Sequence, residues 1–147
     1  MLKLNPGWMM TCALFLGIGG RAMAAEALPV VHPVEIKQNS VGTDAISVQD
    51  ASISGDILKV KVKHGGGCRD HLYGLTWDGT STKTIPPQLT LPVTHNAHGD
   101  PCEAVITAEP EFDLTPIKKT LGNAGGKGAI LKIRGTDGSG KNVHYQY

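Results

Sequence analysis

The chain has 147 residues, with 14 lysines and arginines against 13 acidic residues. This length suits a single domain and excludes a large multidomain enzyme. The charges nearly balance and form no long run of one sign. The sequence therefore lacks both the basic patch typical of nucleic-acid binders and a polybasic segment for membrane surfaces. We expect no nucleic-acid partner.

The first 24 residues have the pattern of a secretory signal peptide. Lys3 is followed by an apolar run over Trp8–Ile18 and by the small-residue site Ala22–Ala24. The run is too short to span a bilayer. We predict cleavage after Ala24, which leaves 123 residues of an exported protein, periplasmic or extracellular, with no transmembrane segment. The residues before Cys12 are not the small ones that precede a lipidated cysteine, so we expect no lipid anchor.

After a lead-in over residues 25–44, residues 45–147 are predicted to form one β domain. The segment 57–64 is the clearest strand, because Leu58, Val60 and Val62 alternate with three lysines. The segment 45–53 also alternates, with Ile46, Val48, Asp50 and Ser52 on one side, and a Gly-containing turn joins the two segments into a hairpin.

Further extended segments are expected at 71–77, 89–93, 102–108, 112–114, 129–134 and 143–147. The polar segment 94–101 is expected to be an exposed loop. Pro116–Leu121 is predicted to form one helical turn with Thr115 as its N-cap. No segment has sustained helical spacing of apolar residues. The predicted fold class is therefore all-β: a single-domain antiparallel β-sandwich or open barrel with one disulfide.

The two cysteines beyond the signal segment are Cys68 and Cys102. An even pair in an exported protein predicts a disulfide. Closing a loop of about 35 residues would stabilise the fold by roughly 3–4 kcal/mol. The alternative is a pair of thiolate metal ligands, although Cys68-x2-His71 and His95-x6-Cys102 do not match a familiar zinc spacing.

A disulfide would bring two polar segments together, since it holds its Cα atoms about 6 Å apart. The candidate binding surface consists of the charged and imidazole side chains in these segments. They are Arg69, Asp70, His71, His95, His98 and Asp100.

Three interpretations of this region remain open. The first is a binding surface for an unknown envelope protein or ligand, with no cofactor. The second is a Zn or Cu site made by His71, His95, His98 and Asp100, because neutral imidazole suits these metals and a carboxylate can complete or orient the ligand set. The third is a structural role, in which His71 and His95 pack beside the bridge while His98 is solvated. Neither G-x-S-x-G nor H-E-x-x-H occurs, so we predict no enzyme.

The order of short motifs along the chain resembles a group of small exported β-domain proteins and lipoproteins of Gram-negative bacteria. The motifs are Gly66-Gly67-Cys68-x2-His71, Pro86-Pro87, Leu89-x-Leu91-x3-His95, Asp100-x-Cys102-Glu103-Ala104 and Phe112-Asp113-Leu114. The resemblance covers about 100 residues, from Asp50 to the end. It implies a bridged all-β domain outside the cytoplasm and implies no activity. This chain departs from the lipoprotein members because it lacks their lipidation motif.

These observations together predict an exported, disulfide-stapled, non-catalytic binding or inhibitory module of the bacterial cell envelope. The alternative function is a periplasmic Zn- or Cu-binding protein that uses the loop histidines.

Overall fold

The computed structural model of the protein describes residues 30–36, 44–123 and 126–147. The expected signal peptide over 1–24 and most of the expected lead-in over 25–44 lie outside these residues. Ten strands and one short helix occur in the described part. The all-β prediction is confirmed, and the strands form two sheets packed as a sandwich rather than a closed barrel.

The first sheet is built around one long central strand. Its strands are β1 (Val31–Pro33), β3 (Ser47–Ser54), β4 (Ile57–Gly66), β7 (Ala104–Ala108) and β8 (Glu111–Asp113). The order is β1-β8-β4-β3, and β7 also pairs with β4. As predicted, Leu58, Val60 and Val62 are buried along β4 while its lysines are exposed. Every second residue of this strand therefore faces the second sheet.

The second sheet contains the other five strands. They are β2 (Glu35–Ile36), β5 (Leu72–Trp77), β6 (Gln88–Asn96), β9 (Gly128–Arg134) and β10 (Gly140–Gln146). Their order is β10-β9-β6-β5-β2. The pairings are mostly antiparallel, as expected, but β1 with β8, β2 with β5 and β6 with β9 run parallel. The short strands β1 and β2 thus add one edge to each sheet.

The core between the sheets is mainly aliphatic, with a few large rings. Trp77, Phe112 and Tyr145 are the largest fully buried side chains. They come from β5, β8 and β10, so both sheets contribute bulky groups to the same interior. Removing such a ring from a close-packed interior costs about 3–5 kcal/mol, because the space refills only partly.

The expected alternation along β3 is wrong beyond Val48. The pairing with β4 shifts between Val48 and Asp50, which marks a β-bulge at Gln49. A bulge inserts one extra residue, so every later side chain changes face. Ile53 therefore packs against the core, whereas Asp50 and Ser52 are exposed.

The single helix of the described residues, α1 (Thr115–Gly122), extends beyond the predicted turn at both ends. Thr115 is its first residue and not its N-cap. The Asp113 carboxylate accepts hydrogen bonds from both the N–H and the hydroxyl of Thr115. Ile117 and Leu121 are the buried residues of α1. No helix in residues 30–36, 44–123 or 126–147 is long and apolar enough to cross a membrane.

Asp56, in the turn between β3 and β4, links three elements. Its carboxylate accepts a hydrogen bond from the Tyr145 hydroxyl at 2.7 Å and from Lys118 Nζ at 3.0 Å. The hydrogen bond from Tyr145, followed by that from Lys118, lowers the pKa of Asp56. Burial and the Asp56 carboxylate raise the pKa of Tyr145. The turn is thereby attached to both α1 and the last strand.

These contacts predict a pH-dependent loss of stability. Because the folded state lowers the pKa of Asp56, this carboxylate stabilises the fold above its ordinary pKa of 3.8, and the contribution is lost as the pH falls through the lowered value. Asp56→Asn should therefore reduce Tm at pH 7, and the difference from the unmodified protein should shrink below about pH 4. Thermal unfolding followed by circular dichroism between pH 2 and 7 measures this. A Tm deficit independent of pH, or an equal deficit in the exposed-site control Asp50→Asn, would contradict it.

Candidate functional site

A disulfide joins two loops at one end of the sandwich. Cys68, in the loop between β4 and β5, is bonded to Cys102, in the loop between β6 and β7, with their Cα atoms 5.8 Å apart. The predicted bridge is present. Because β4 and β6 belong to different sheets, the bridge links the loop that follows β4 in the first sheet to the loop that follows β6 in the second.

The carboxylate of Asp100 organises both loops. Its Oδ2 accepts hydrogen bonds from the N–H groups of Gly67, Cys68 and Arg69 at 2.8, 2.9 and 3.0 Å. Its Oδ1 accepts the N–H of Cys102 at 2.9 Å. Successive N–H groups that converge on one oxygen form an anion-binding concavity. These backbone hydrogen bonds, that of Cys102 first, hold the pKa of Asp100 far below its usual range, although its side chain is only 1% exposed.

His71 connects this carboxylate to the interior. Its Nε2 lies 3.1 Å from Asp100 Oδ2, and its Nδ1 lies 2.8 Å from His95 Nε2. The His71 and His95 rings are nearly parallel, with centroids 5.0 Å apart. His71 thus lies between the Asp100 carboxylate and His95.

His95 lies in a strand and not in the exposed loop predicted over 94–101. Strand β6 continues to Asn96, so the alternation of Leu91 and Val93 carries His95 inward, where it is 2% exposed. Its Nδ1 lies 3.3 Å from the Ala45 carbonyl oxygen. Burial, and secondarily the neighbouring His64, lowers the pKa of His95.

His64 belongs to the same cluster and was not among the predicted site residues. It continues the inward face of β4 after Val62 and is 6% exposed. Its Nδ1 lies 2.8 Å from the Gly65 carbonyl oxygen, and its Nε2 lies 2.7 Å from the Tyr73 hydroxyl. Burial raises the pKa of Tyr73, whose ring stacks on that of His95. The alternation used to predict β4 also places His64 on the buried face, so the signal was present in the sequence.

The remaining predicted residues lie on the surface. Arg69, Asp70 and His98 are exposed. Arg69 Nη1 donates to the His98 carbonyl oxygen, and His98 Nδ1 donates to the Asp70 carbonyl oxygen at 2.8 Å. The six candidates therefore separate into an inner set of His71, His95 and Asp100 and an outer set of Arg69, Asp70 and His98. The expected metal set of His71, His95, His98 and Asp100 is not assembled as such, because the His98 ring turns towards Asp70.

Gly66 allows the inner set to form. Its φ is +133°, a conformation that side chains rarely adopt. A Cβ on Gly66 would lie 2.5 Å from His71 Cε1 and 2.9 Å from Asp100 Oδ2. The imidazole of His71 thus occupies the space that a side chain at position 66 would need.

The fold and the bridged loops define a disulfide-stapled β-sandwich domain. Residues 29–147 match the NigD-like C-terminal beta sandwich domain, and the chain belongs to this family. The resemblance to a group of small β-domain proteins of Gram-negative bacteria is confirmed at this level.

Solved structures of Bacteroides proteins have a similar fold. A protein of unknown function from Bacteroides vulgatus matches 82% of this chain and 58% of its own with 18% identity and a TM-score of 0.56. A NigD-like immunity protein from Bacteroides caccae matches 80% of this chain and 64% of its own with 14% identity and a TM-score of 0.55. The present chain thus spans less than two thirds of the length of either protein. No curated protein matches the sequence.

Because the space around Gly66 is already filled, we predict that one added methyl group there destabilises the fold. Gly66→Ala should destabilise the protein by about 1–3 kcal/mol, because it strains the backbone and forces the His71 ring away from Asp100. Gly65→Ala is the matched control, since a Cβ there meets nothing within 4 Å. It should change stability by less than about 0.5 kcal/mol. Denaturant unfolding of both variants measures this, and equal effects would show that the close approach of His71 is not required.

Proposed function

We propose that this protein is an exported, non-catalytic module of the bacterial cell envelope that binds, and thereby inhibits, a protein partner. The binding residues are Arg69, Asp70 and His98, which we call the bridge-loop surface. The two loops that bear them protrude from the end of a rigid sandwich, where binding residues usually gather.

One observation carries this proposal: the exposed side chains of the bridge-loop surface stand on a backbone that a disulfide and hydrogen bonds hold in place. The disulfide and the four N–H bonds to Asp100 hold both loops. The bonds from Arg69 to the His98 carbonyl and from His98 to the Asp70 carbonyl connect them again. A surface ordered before binding loses little conformational entropy when a partner docks, which favours affinity.

Exposed apolar side chains occur on the strands that follow the two bridged loops. Leu72, the first residue of β5, is 55% exposed, and Val105, which pairs with Gly65 beside the bridge, is 67% exposed. Protein interfaces combine apolar contact area with polar groups that set orientation. This composition fits a protein surface better than a small polar ligand.

A solved structure with a similar fold favours inhibition among the possible binding functions. The protein from Bacteroides caccae with a similar fold is described as a NigD-like immunity protein. The fold alone is shared at this level of identity, so the inhibitory role of the present chain is part of the proposal.

We also propose where the protein is located. Residues 1–24 act as a signal peptide, and the lead-in over residues 25–44 adds the edge strands β1 and β2 to a β domain that residues 45–147 otherwise form in a periplasmic or extracellular protein. The Cys68–Cys102 disulfide supports this location, because such bonds persist in oxidising compartments and are rare in the cytosol.

Site-specific photocrosslinking tests the binding surface. A photoreactive amino acid at His98, in the protein exported by its own bacterium, should yield a discrete adduct with one envelope or secreted protein. The control position is Lys83, which is also exposed and lies in the loop that enters β6, at the opposite end of that strand. It should not yield the same adduct.

Substitution by glutamate then measures how much the bridge-loop surface contributes to binding. With the captured partner purified, Arg69→Glu and His98→Glu should each weaken binding by about tenfold or more, whereas Lys83→Glu should have no effect beyond about twofold. Unchanged Tm values would show that the variants fold. The same adduct from position 83, or full affinity in both surface variants, would refute the assignment.

A further inference from the structure

Three buried imidazoles converge from both sheets. His64 lies on β4 of the first sheet, His95 lies on β6 of the second, and His71 immediately precedes β5. One ring nitrogen from each lies within 4.8 Å of the others. Such convergence needs the two sheets to face each other at this end of the sandwich.

The groups around the cluster determine where each neutral ring carries its proton. His64 Nδ1 faces the Gly65 carbonyl, His95 Nδ1 faces the Ala45 carbonyl, and His71 Nε2 faces the ionised Asp100 carboxylate. Carbonyl and carboxylate oxygens only accept hydrogen bonds, so these three outer nitrogens donate. The inner nitrogens, His64 Nε2, His71 Nδ1 and His95 Nε2, are then left with lone pairs.

Two of these inner nitrogens face each other. His71 Nδ1 and His95 Nε2 are 2.8 Å apart, which is a hydrogen-bond distance. With both outer nitrogens donating, a further cation, either a proton between the two nitrogens or a metal ion beside them, is needed to satisfy both lone pairs. An arrangement in which every outer nitrogen donates and every inner nitrogen accepts is also how proteins orient histidines towards a metal ion.

We propose that His64, His71 and His95 bind one divalent transition-metal ion, Zn²⁺ or Cu²⁺, and that Asp100 is a positioning residue acting through His71. Neutral imidazole is a preferred ligand of both ions. In a tetrahedral site with Zn–N bonds of about 2.0–2.1 Å, ligand nitrogens lie roughly 3.3 Å apart. The observed separations, from 2.8 Å to at most 4.8 Å, need only small side-chain shifts to reach this value.

The surroundings suit a nitrogen-rich site. In this arrangement the Tyr73 hydroxyl donates to His64 Nε2 at 2.7 Å, and it must turn away from that nitrogen when an ion binds there. The sulfurs of Cys68 and Cys102 are bonded to each other and supply no thiolate.

Titration with the metal alone tests the proposal. The protein is purified without reductant, freed of metal with a chelator, and titrated with Zn²⁺ and, separately, with Cu²⁺ by calorimetry. At least one ion should bind with a stoichiometry of one and raise Tm by linkage. His71→Gln and His95→Gln should each weaken binding by about 100-fold or more, and Asp100→Asn by about 10–100-fold. The exposed-histidine controls, His98→Gln and His144→Gln, should bind like the unmodified protein.

Two further readouts check the folding of the variants and the ligand geometry of the site. Each variant must retain the far-ultraviolet circular dichroism spectrum of the unmodified protein, and Co²⁺ bound to the unmodified protein should show the visible absorption of a tetrahedral nitrogen-ligated site. Absence of stoichiometric binding of both Zn²⁺ and Cu²⁺ would overturn the proposal. Loss of binding in His98→Gln but not in folded His71→Gln would also overturn it and would assign the metal to the surface.

Discussion

The carboxylate of Asp100 is the constraint on which this end of the molecule depends. It is buried with a negative charge, and a buried charge is tolerated only when it is fully paired. Four backbone N–H groups and the His71 ring supply that pairing. Because the N–H groups belong to residues 67–69 and 102, satisfying one charge fixes the path of two loops. The disulfide between the same loops then joins segments that the carboxylate has already brought together.

The loops arranged in this way separate an inner site from an outer one. Asp70 and His71 are neighbours in the chain, yet Asp70 faces solvent while His71 faces the other histidines. His98 and Asp100 divide in the same manner. The bridge-loop surface therefore lies on the outer side of the two loops, whereas His71 on their inner side meets His64 and His95 of the strands β4 and β6. The Asp100 carboxylate contacts both sets, because it accepts the N–H of Arg69 and lies 3.1 Å from His71 Nε2.

Much of the fold could be predicted because alternation is a local property of the sequence. The inward residues of β4 and the disulfide follow from it and from the cysteine count. The predictions that were wrong have identifiable causes. The bulge at Gln49 reversed the face of the rest of β3, and the extension of β6 to Asn96 placed His95 in the interior. The N-terminal end of α1 depends on the Asp113 side chain rather than on Thr115. The bulge and the start of α1 are set by a contact with another segment or by a neighbouring side chain, which the spacing of apolar residues does not record. The alternation of Leu91 and Val93 does point His95 inward, but it does not show that the strand continues beyond Val93.

By itself the sequence determined that the chain is an all-β domain with one disulfide, and that histidines and acidic residues gather near that bridge. Composition and period-two spacing suffice for this, because a strand buries every second residue wherever it pairs. The tertiary structure alone decided which histidines meet. It placed His64 in the cluster and left His98 outside, because membership depends on the register of β4, β5 and β6 across two facing sheets. Register is set by long-range pairing and turn geometry, and a shift of one residue would have turned each of these side chains to the opposite face.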